Sequence, residues 1–403
     1  MEGGRRLGQA PGSLEAYRAV HRDGLASALA RIEATDAEAR EAIALWQTRL
    51  PPVVSVLREQ SDEGEVIKFL TQVPGVLASE AGAPHASSST TPTLAAESVL
   101  IPMMSPKGER TYTLCVSSQI GCAMGCTFCE TAQMGLLRSL LPQEIVAQWW
   151  NAAHVVGVRP KNMVFMGMGE PMDNLDNVLA AIDILRDHNG PHLAVSQITI
   201  STVGRVDGIE KLAEHCRQPG WHRLGLALSL NAPNDVDRSA IMPVNRKWNL
   251  AALQVALLAW AKSAGPAQPN PCQPAPHQHV TKPSGRKVCV EYVLIPGVND
   301  TPTHADQIAS FMAPLGLCKD GKVQGAELLG VLNLIPYNPR RNSPWPAPSE
   351  ERVSEFLDWL IARGVFVKRR RTKGRQMMGA CGQLGSEHIR KRKLVGLTVS
   401  VEQ

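Results

Sequence analysis

Apolar and polar positions follow two different rhythms along the chain. Up to about residue 75 the apolar residues recur at helical spacing, with Leu25, Leu29 and Ile32 first and Ile43, Trp46 and Leu50 next, until Pro51-Pro52 breaks the pattern. The spacing predicts a helical region over residues 1–75. Residues 80–95 (EAGAPHASSSTTPTLA) are small, polar and Pro-containing and read as a linker. From about Val99 short apolar runs take turns with helical periods. Strands are predicted at 162–166, 197–202, 224–230, 288–295 and 331–335, and helices at 142–156, 174–188, 207–216, 249–263, 303–313 and 350–363. Such alternation builds parallel β/α units, in an open sheet or a barrel. Residues 264–286 interrupt it with a Pro-rich polar stretch, expected to be a disordered surface insertion. Cys272, His277 and His279 inside it read as loop residues rather than metal ligands.

The length, 403 residues, accommodates about two to three domains, or one large α/β barrel with an appendage. Hydrophobic residues at 44% and charged residues at 20% fit a globular protein and exclude general disorder. A net charge of +5 excludes a chain that is basic throughout. The longest apolar stretch, Leu250 to Trp260, is interrupted by Gln254 and falls short of the ~20 residues of a bilayer span, so it reads as a core helix and no membrane partner is expected. The N-terminus has no apolar signal core, and Glu2, Glu15, Asp23, Glu33, Asp36 and Glu38 offset its arginines. A cytoplasmic location is expected, with other internal compartments left open.

Basic residues gather near the C-terminus: six of the eight residues 368–375 (KRRRTKGR), and Arg390 to Lys393 in a row. Such clusters suit phosphate contacts, and equally a solvated face. The nine cysteines are unevenly spread, with four between Cys115 and Cys129, which favours metal or thiol chemistry over a disulfide framework.

The strongest chemical signal is Cys122-Ala-Met-Gly-Cys126-Thr-Phe-Cys129. Three thiolates at this spacing can each hold one iron of a cubane cluster. With no fourth Cys nearby, one iron stays open for a substrate or cofactor. Gly121 and Gly125 suit a tight loop around a bulky inorganic group. A zinc site completed by a distant Cys or His is the alternative at this point. Phe128 ahead of the last Cys is a further match, and the triplet resembles the radical S-adenosylmethionine (SAM) superfamily, whose open iron chelates the amino and carboxylate groups of SAM.

Other motifs narrow the resemblance. Leu114-Cys-Val-Ser-Ser-Gln-Ile-Gly-Cys122 leads into the triplet. Val164-Phe-Met-Gly-Met-Gly-Glu-Pro171, Ile200-Ser-Thr-Val-Gly204 and Leu228-Ser-Leu-Asn-Ala-Pro-Asn-Asp235 follow. Met242-Pro-Val-Asn-Arg-Lys247, Glu291-Tyr-Val-Leu-Ile-Pro-Gly-Val-Asn-Asp300, Asn333-Leu-Ile-Pro-Tyr-Asn338 and Ala380-Cys-Gly-Gln-Leu384 complete the order. Over about residues 95–385 the chain resembles the RlmN/Cfr family of radical SAM RNA methyltransferases, most closely its RlmN branch.

The resemblance implies an incomplete (β/α)6 radical SAM (TIM-like) barrel over residues 95–385. A helical accessory domain and linker would occupy 1–94, and a basic tail 386–403. It implies one 4Fe–4S cluster on Cys122, Cys126 and Cys129, two SAM molecules per turnover, and an electron donor such as a flavodoxin or ferredoxin system. Gly169, Glu170, Ser201, Ser229, Leu230, Asn231 and Asn338 would contact SAM from the ends of strands, the active face of such a barrel. Cys381 would be methylated by one SAM. A 5′-deoxyadenosyl radical from the second would take a hydrogen from that methyl group, and the methylene radical would add to an adenine carbon. C2 of adenine is electrophilic, so an electrophilic SAM methyl cannot be placed there directly. Cys115 would assist proton loss and release the product by forming a disulfide with Cys381, and Glu97 matches the family's proton acceptor. Cys216, Cys289 and Cys318 read as small buried hydrophobes.

The chain departs from the family pattern in places. Asn231 replaces the usual His, Glu130 replaces a small residue after the triplet, and Gln376-Met-Met-Gly stands where an acidic residue is usual. The Ser-Pro-Lys-Gly extension at 105–108 lengthens a loop. The expected activity is methylation of adenosine C2 in rRNA, tRNA or both. A C8-methylating sister enzyme and a non-catalytic, zinc-containing RNA-binding protein are the rival readings.

Overall fold

Two helices open the described chain, α1 (Ser13–Arg31), bent at Gly24, and α2 (Ala37–Arg49). The protein is described by a computed structural model over residues 13–31, 37–75, 93–105, 108–263, 288–319, 322–324 and 330–385. Both helices fall in the region expected to be helical, but residues 53–74 do not follow. They form an antiparallel hairpin of β1 (Val53–Ser61) and β2 (Gly64–Pro74). The β-branched residues Val53, Val54, Val56, Val66 and Ile67 favour a pleated surface, and Asp62-Glu63 makes the turn. β3 (Thr93–Met104) pairs with β2 and with β4 (Arg110–Cys115), both antiparallel. The sheet therefore runs straight across the boundary expected at residue 94. Residues 76–92, the insertion with Cys272, His277 and His279, and the tail with Arg390 to Lys393 lie outside the described residues.

From β4 onward every new strand of the large sheet is parallel to the last. β5 (Gln119–Gly121), α3 (Glu130–Gln133) and β6 (Leu136–Ser139) form a small excursion, followed by α4 (Pro142–His154). The repeat continues with β7 (Asn162–Phe165), α5 (Leu175–Arg186), β8 (Ile198–Thr202), α6 (Val206–His215) and β9 (Gly225–Ser229). After α7 (Asp235–Ile241) and α8 (Leu250–Lys262) come β10 (Val288–Leu294) and α9 (Pro302–Met312). The short pair β11 (Leu317–Lys319) and β12 (Lys322–Gln324) precedes β13 (Gly330–Pro336), α10 (Glu350–Ala362) and β14 (Val367–Arg369). The strand order is β1-β2-β3-β4-β7-β8-β9-β10-β13-β14. Its seven parallel strands, from β4 to β14, curl into a partial TIM-like barrel, and β1 and β14 are the two edges of the whole sheet. The strands and helices expected after residue 140 are all present within two residues of their expected ends.

Local chemistry explains the helix boundaries. Asn249, Thr301 and Ser349 accept hydrogen bonds from the backbone N–H of Ala252, His304 and Arg352, capping α8, α9 and α10. α8 buries Leu253, Leu257 and Trp260 against the barrel, as expected of a core helix. Among the described residues no helix is long and apolar enough to cross a membrane. The first helices are fastened to the barrel through α4. Trp150 Nε1 donates to the Val20 carbonyl (3.1 Å), and Asn151 Nδ2 donates to Pro51 O (3.0 Å) and Thr71 Oγ1 (3.2 Å).

Candidate active site

The cysteine triplet occupies the loop between β5 and α3, over the C-terminal ends of the parallel strands. A Cβ on Gly121 would overlap the Gly135 carbonyl oxygen, so only glycine lets the two sides of this excursion meet. The Cys122 N–H then donates to that same oxygen (3.0 Å), and Thr127 N–H donates to Ile241 O (3.0 Å). Gln133 Nε2 donates to the carbonyls of Cys126 (3.4 Å) and Cys129 (3.3 Å). The three sulfurs line one cavity. Burial pushes the Cys122 thiol up to about 12 and raises Cys126 well above the ordinary thiol value, where its two neighbouring cysteines add to the effect. Burial also raises Cys129, against backbone N–H groups of Ala132 and Thr131. Three desolvated thiols on one cavity hold their charge only beside a multiply charged group, and that donor set fits an iron–sulfur cluster with an open iron.

The other wall of this cavity comes from strand ends. Gly169 and Glu170 follow β7, Ser201 lies in β8, Ser229 ends β9, and Asn231 follows it. Glu170 is buried, with its oxygens accepting from Met172 N–H (3.2 Å) and Val203 N–H (2.9 Å). Burial raises its carboxyl to about 7 in spite of those bonds. Asn231 has a left-handed backbone (φ 55°), a conformation Asn tolerates better than most residues. Its side-chain oxygen accepts from Val293 N–H (3.0 Å), which gives the departure at this position a structural use. Leu230 lies beside these residues but is fully buried and turned away from the cavity. The motifs do not reveal Arg238. Its wholly buried guanidinium bonds the carbonyls of Leu230 (3.0 Å), Ser229 (3.2 Å) and Val203 (2.5 Å) and fixes the ends of β8 and β9 together.

Ala380-Cys-Gly-Gln383 is a β-turn. Gln383 N–H donates to Ala380 O (3.0 Å), Cys381 sits at the corner, and Gly382 takes φ 82°, as the third position of a type II turn requires. The neighbouring segments hold this turn firmly. Glu130 N–H donates to Gly382 O (2.8 Å), Thr131 Oγ1 to Leu384 O (2.6 Å) and Gln383 Nε2 to Pro339 O (3.0 Å). Glu130 also accepts from Arg341 N–H (3.0 Å), so the unusual residue after the triplet joins the cluster loop to its neighbours. Gln376 and Met377 donate their N–H groups to Glu59 on β1 (3.0 and 3.1 Å), so a carboxylate reaches this segment from another strand.

Cys381 lines the triplet cavity and also a second, larger one of about 550 Å³. The larger cavity is walled by Cys115 at the end of β4, by Glu291, and by the basic run from Lys368 to Lys373. Arg370 Nη1 meets Glu291 Oε1 at 3.2 Å. Lys373 pairs with Glu63 (2.9 Å) and donates to Pro102 O (2.6 Å), spanning the space between the segment after β14 and the first hairpin. Burial pushes the Cys115 thiol up to about 12.

Two expected site residues stand elsewhere, and one cysteine expected in the core does not lie there. Asn338 lines the larger cavity rather than that of the triplet, where its Oδ1 accepts from Arg375 Nε (3.2 Å). Glu97 lines neither cavity. It is buried in an ion pair with Lys68 (2.7 Å) and accepts from Gly385 N–H (3.1 Å), behind the Cys381 turn. Cys289 is not a core residue. It lines the larger cavity, and Asn333 Nδ2 donates to its sulfur (3.1 Å). Cys216 is fully buried, and the Cys318 side chain lies outside the described residues.

Comparison with known proteins agrees with this geometry. The Radical SAM superfamily matches residues 116–306. The protein named "Probable dual-specificity RNA methyltransferase RlmN 1" of Protochlamydia amoebophila is 38% identical over 297 residues, covering 74% of this chain and 71% of the relative. The dual-specificity RNA methyltransferase RlmN of Lawsonia intracellularis is 34% identical over 352 residues, 86% of this chain and 82% of the relative. Among solved structures, a radical SAM methyltransferase from Sphaerobacter thermophilus superposes with a TM-score of 0.68 at 32% identity, covering 92% of both chains.

Proposed function

The chain belongs to the RlmN family of radical SAM RNA methyltransferases, and on that premise we propose how its own residues divide the work of methylating C2 of adenosine in rRNA, tRNA or both. As a radical SAM enzyme it uses a 4Fe–4S cluster and SAM. When bound and reduced by a donor of the flavodoxin or ferredoxin type, the cluster would supply the one-electron chemistry that cleaves SAM. Cys122, Cys126 and Cys129 hold the cluster. Glu170 accepts from the SAM ammonium group, and Gly169, Ser201, Ser229 and Asn231 border the rest of the ligand.

The observation that carries this reading is that Cys381 is a shared wall of two cavities with opposite chemistry. From one side it takes a methyl group. From the other it meets a base splayed out of RNA, whose phosphates the basic segment 368–373 receives. Cys115, across the larger cavity, takes up Cys381 in a disulfide and frees the product. Glu97, buried with Lys68, supports the Cys381 turn from behind. A cytoplasmic location belongs to the same reading.

Mass spectrometry of nucleosides from rRNA and tRNA treated with the reconstituted enzyme tests it. 2-Methyladenosine is the expected product. 8-Methyladenosine would move the chain to the sister activity, and a protein purified anaerobically with zinc and no iron would not be this enzyme.

A further inference from the structure

The inward face of β10 carries Cys289 and Glu291, and the residue that continues β14 is Arg370, whose N–H donates to Leu334 O (2.8 Å). Arg370 reaches across the barrel interior to Glu291, and Nη1 also contacts Met166 Sδ (3.9 Å). Glu291 is 8% exposed and Arg370 28%. Glu291, Met166 and Cys381 are walls of both cavities, while Arg370 and Cys115 face the larger one. This ion pair thus stands in the partition where the first methyl must arrive. Its members belong to two separate segments, the motif that opens at Glu291 and the basic run 368–375, and at 79 residues apart nothing in the sequence pairs them.

We propose that Arg370, held by Glu291, is a positioning residue that stabilises Cys381 as a thiolate for accepting the first methyl group. The inference rests on the reading that SAM methylates Cys381. In that step the Cys381 thiol gives its proton to bulk solvent through the larger cavity. Its sulfur lone pair forms the S–CH3 bond as the CH3–S⁺ bond of SAM breaks, and that bond pair stays on the SAM sulfur as a neutral thioether. A thiolate and a sulfonium disappear together, so no oxidant or reductant is needed. The obstacle is the first ionisation. Burial raises the Cys381 thiol. The Arg370 guanidinium opposes this most strongly and a backbone hydrogen bond adds to it, with Glu291 acting in the same sense as burial. The remaining charged groups around the two cavities are Glu170 on the triplet side, and Lys368, Arg369, Arg371, Lys373 and Glu63 on the other, with Cys115 across from the thiol. Arg370 is the one among them whose guanidinium is raised chiefly by the Cys381 charge.

The test uses full-length, cluster-loaded enzyme under anaerobic conditions. Iodoacetamide labelling of Cys381 is followed across a pH series by peptide mass spectrometry, and methylation of Cys381 by SAM is followed in parallel. Arg370→Gln is expected to raise the labelling midpoint by about one pH unit. Methylation at neutral pH should slow about tenfold and recover as the pH is raised. Arg370→Lys should recover most of both. An Arg370→Gln enzyme with the wild-type midpoint overturns the inference, whether methylation is unchanged or is lost at every pH. Should that variant fail to load its cluster, Arg370→Met, neutral and of similar length, decides: its midpoint should rise in the same way, and one that stays at the wild-type value refutes the role of Arg370. If wild-type Cys381 gains no methyl from SAM, the proposed function is at fault, while the labelling midpoint still judges Arg370.

Discussion

Two cavities meet at one sulfur, and their walls differ in kind. The cavity of the triplet has thiols, hydroxyls, backbone and the carboxylates Glu170 and Glu291, and among the described residues no Lys or Arg lines it. The other has Lys368, Arg369, Arg370, Arg371 and Lys373. SAM carries a sulfonium and an ammonium, which suit the first wall, whereas RNA is a polyanion and on the proposed reading would be drawn to the opposite surface. The division teaches that a barrel interior can keep two charge environments a single side chain apart, because each strand end contributes its own chemistry to one side.

The severest way to break the comparison is to empty the first cavity of metal. Cys126→Ala leaves two thiolates, too few to retain an open cubane, and should abolish both cluster assembly and SAM cleavage. A variant with full iron and sulfide that still made 5′-deoxyadenosine would refute the role of the triplet. The partition itself is tested next. Cys381→Ala should keep its cluster yet form neither product nor covalent RNA adduct, while Cys115→Ala should accumulate RNA joined through Cys381, seen as a nuclease-sensitive band on a denaturing gel. Two variants that turned over like wild type would reduce both cysteines to packing residues.

The carboxylate of the first cavity gives a smaller, pH-dependent effect. Glu170 is raised to about 7, mainly by burial, so its charged form is lost as the pH falls through 7. A ligand ammonium binds that charged form. SAM affinity in equilibrium dialysis should therefore drop about tenfold per unit below pH 7, and Glu170→Gln should be weak at every pH. A steeply pH-dependent Glu170→Gln variant would assign the titration to another group. The smallest effect belongs to the basic side. Lys368→Ala should weaken RNA binding regardless of sequence, lower the salt slope by about one, and leave SAM affinity unchanged. An unaltered slope would take Lys368 out of the phosphate-contacting surface.

Legibility in the sequence followed the range of the interactions. The helices and strands after residue 140 were readable because each is set by its own period and caps, as with Asn249 ahead of α8 and Ser349 ahead of α10. The triplet was readable because its ligands are neighbours in sequence. β1 and β2 were not. β1 is an edge strand whose apolar residues Val54, Val56 and Leu57 are exposed, so no buried face imposes a clean alternation, and the hairpin is fixed by pairing with β3. The Asp-Glu-Gly turn was the local signal available. Lys68–Glu97, Arg370–Glu291 and the clasp of Arg238 on three carbonyls needed the fold, since nothing near any of these residues in sequence announces its partner.

The ties on the Cys381 turn have a mechanical consequence. Lys68 Nζ holds the Met378 carbonyl (3.0 Å) just before it, and Glu97 holds the Gly385 N–H just after it. Enzymes that ferry a group between distant stations do so on a long swinging arm. A tether clamped at both ends has almost no stroke, and what remains is rotation about one Cα–Cβ bond, a motion of picoseconds to nanoseconds. Transport then consumes no time of its own. On the proposed role of Cys381 it would also impose a queue: one sulfur with so short a reach serves one customer at a time, and RNA would wait until the spent methyl donor has let the thiol go.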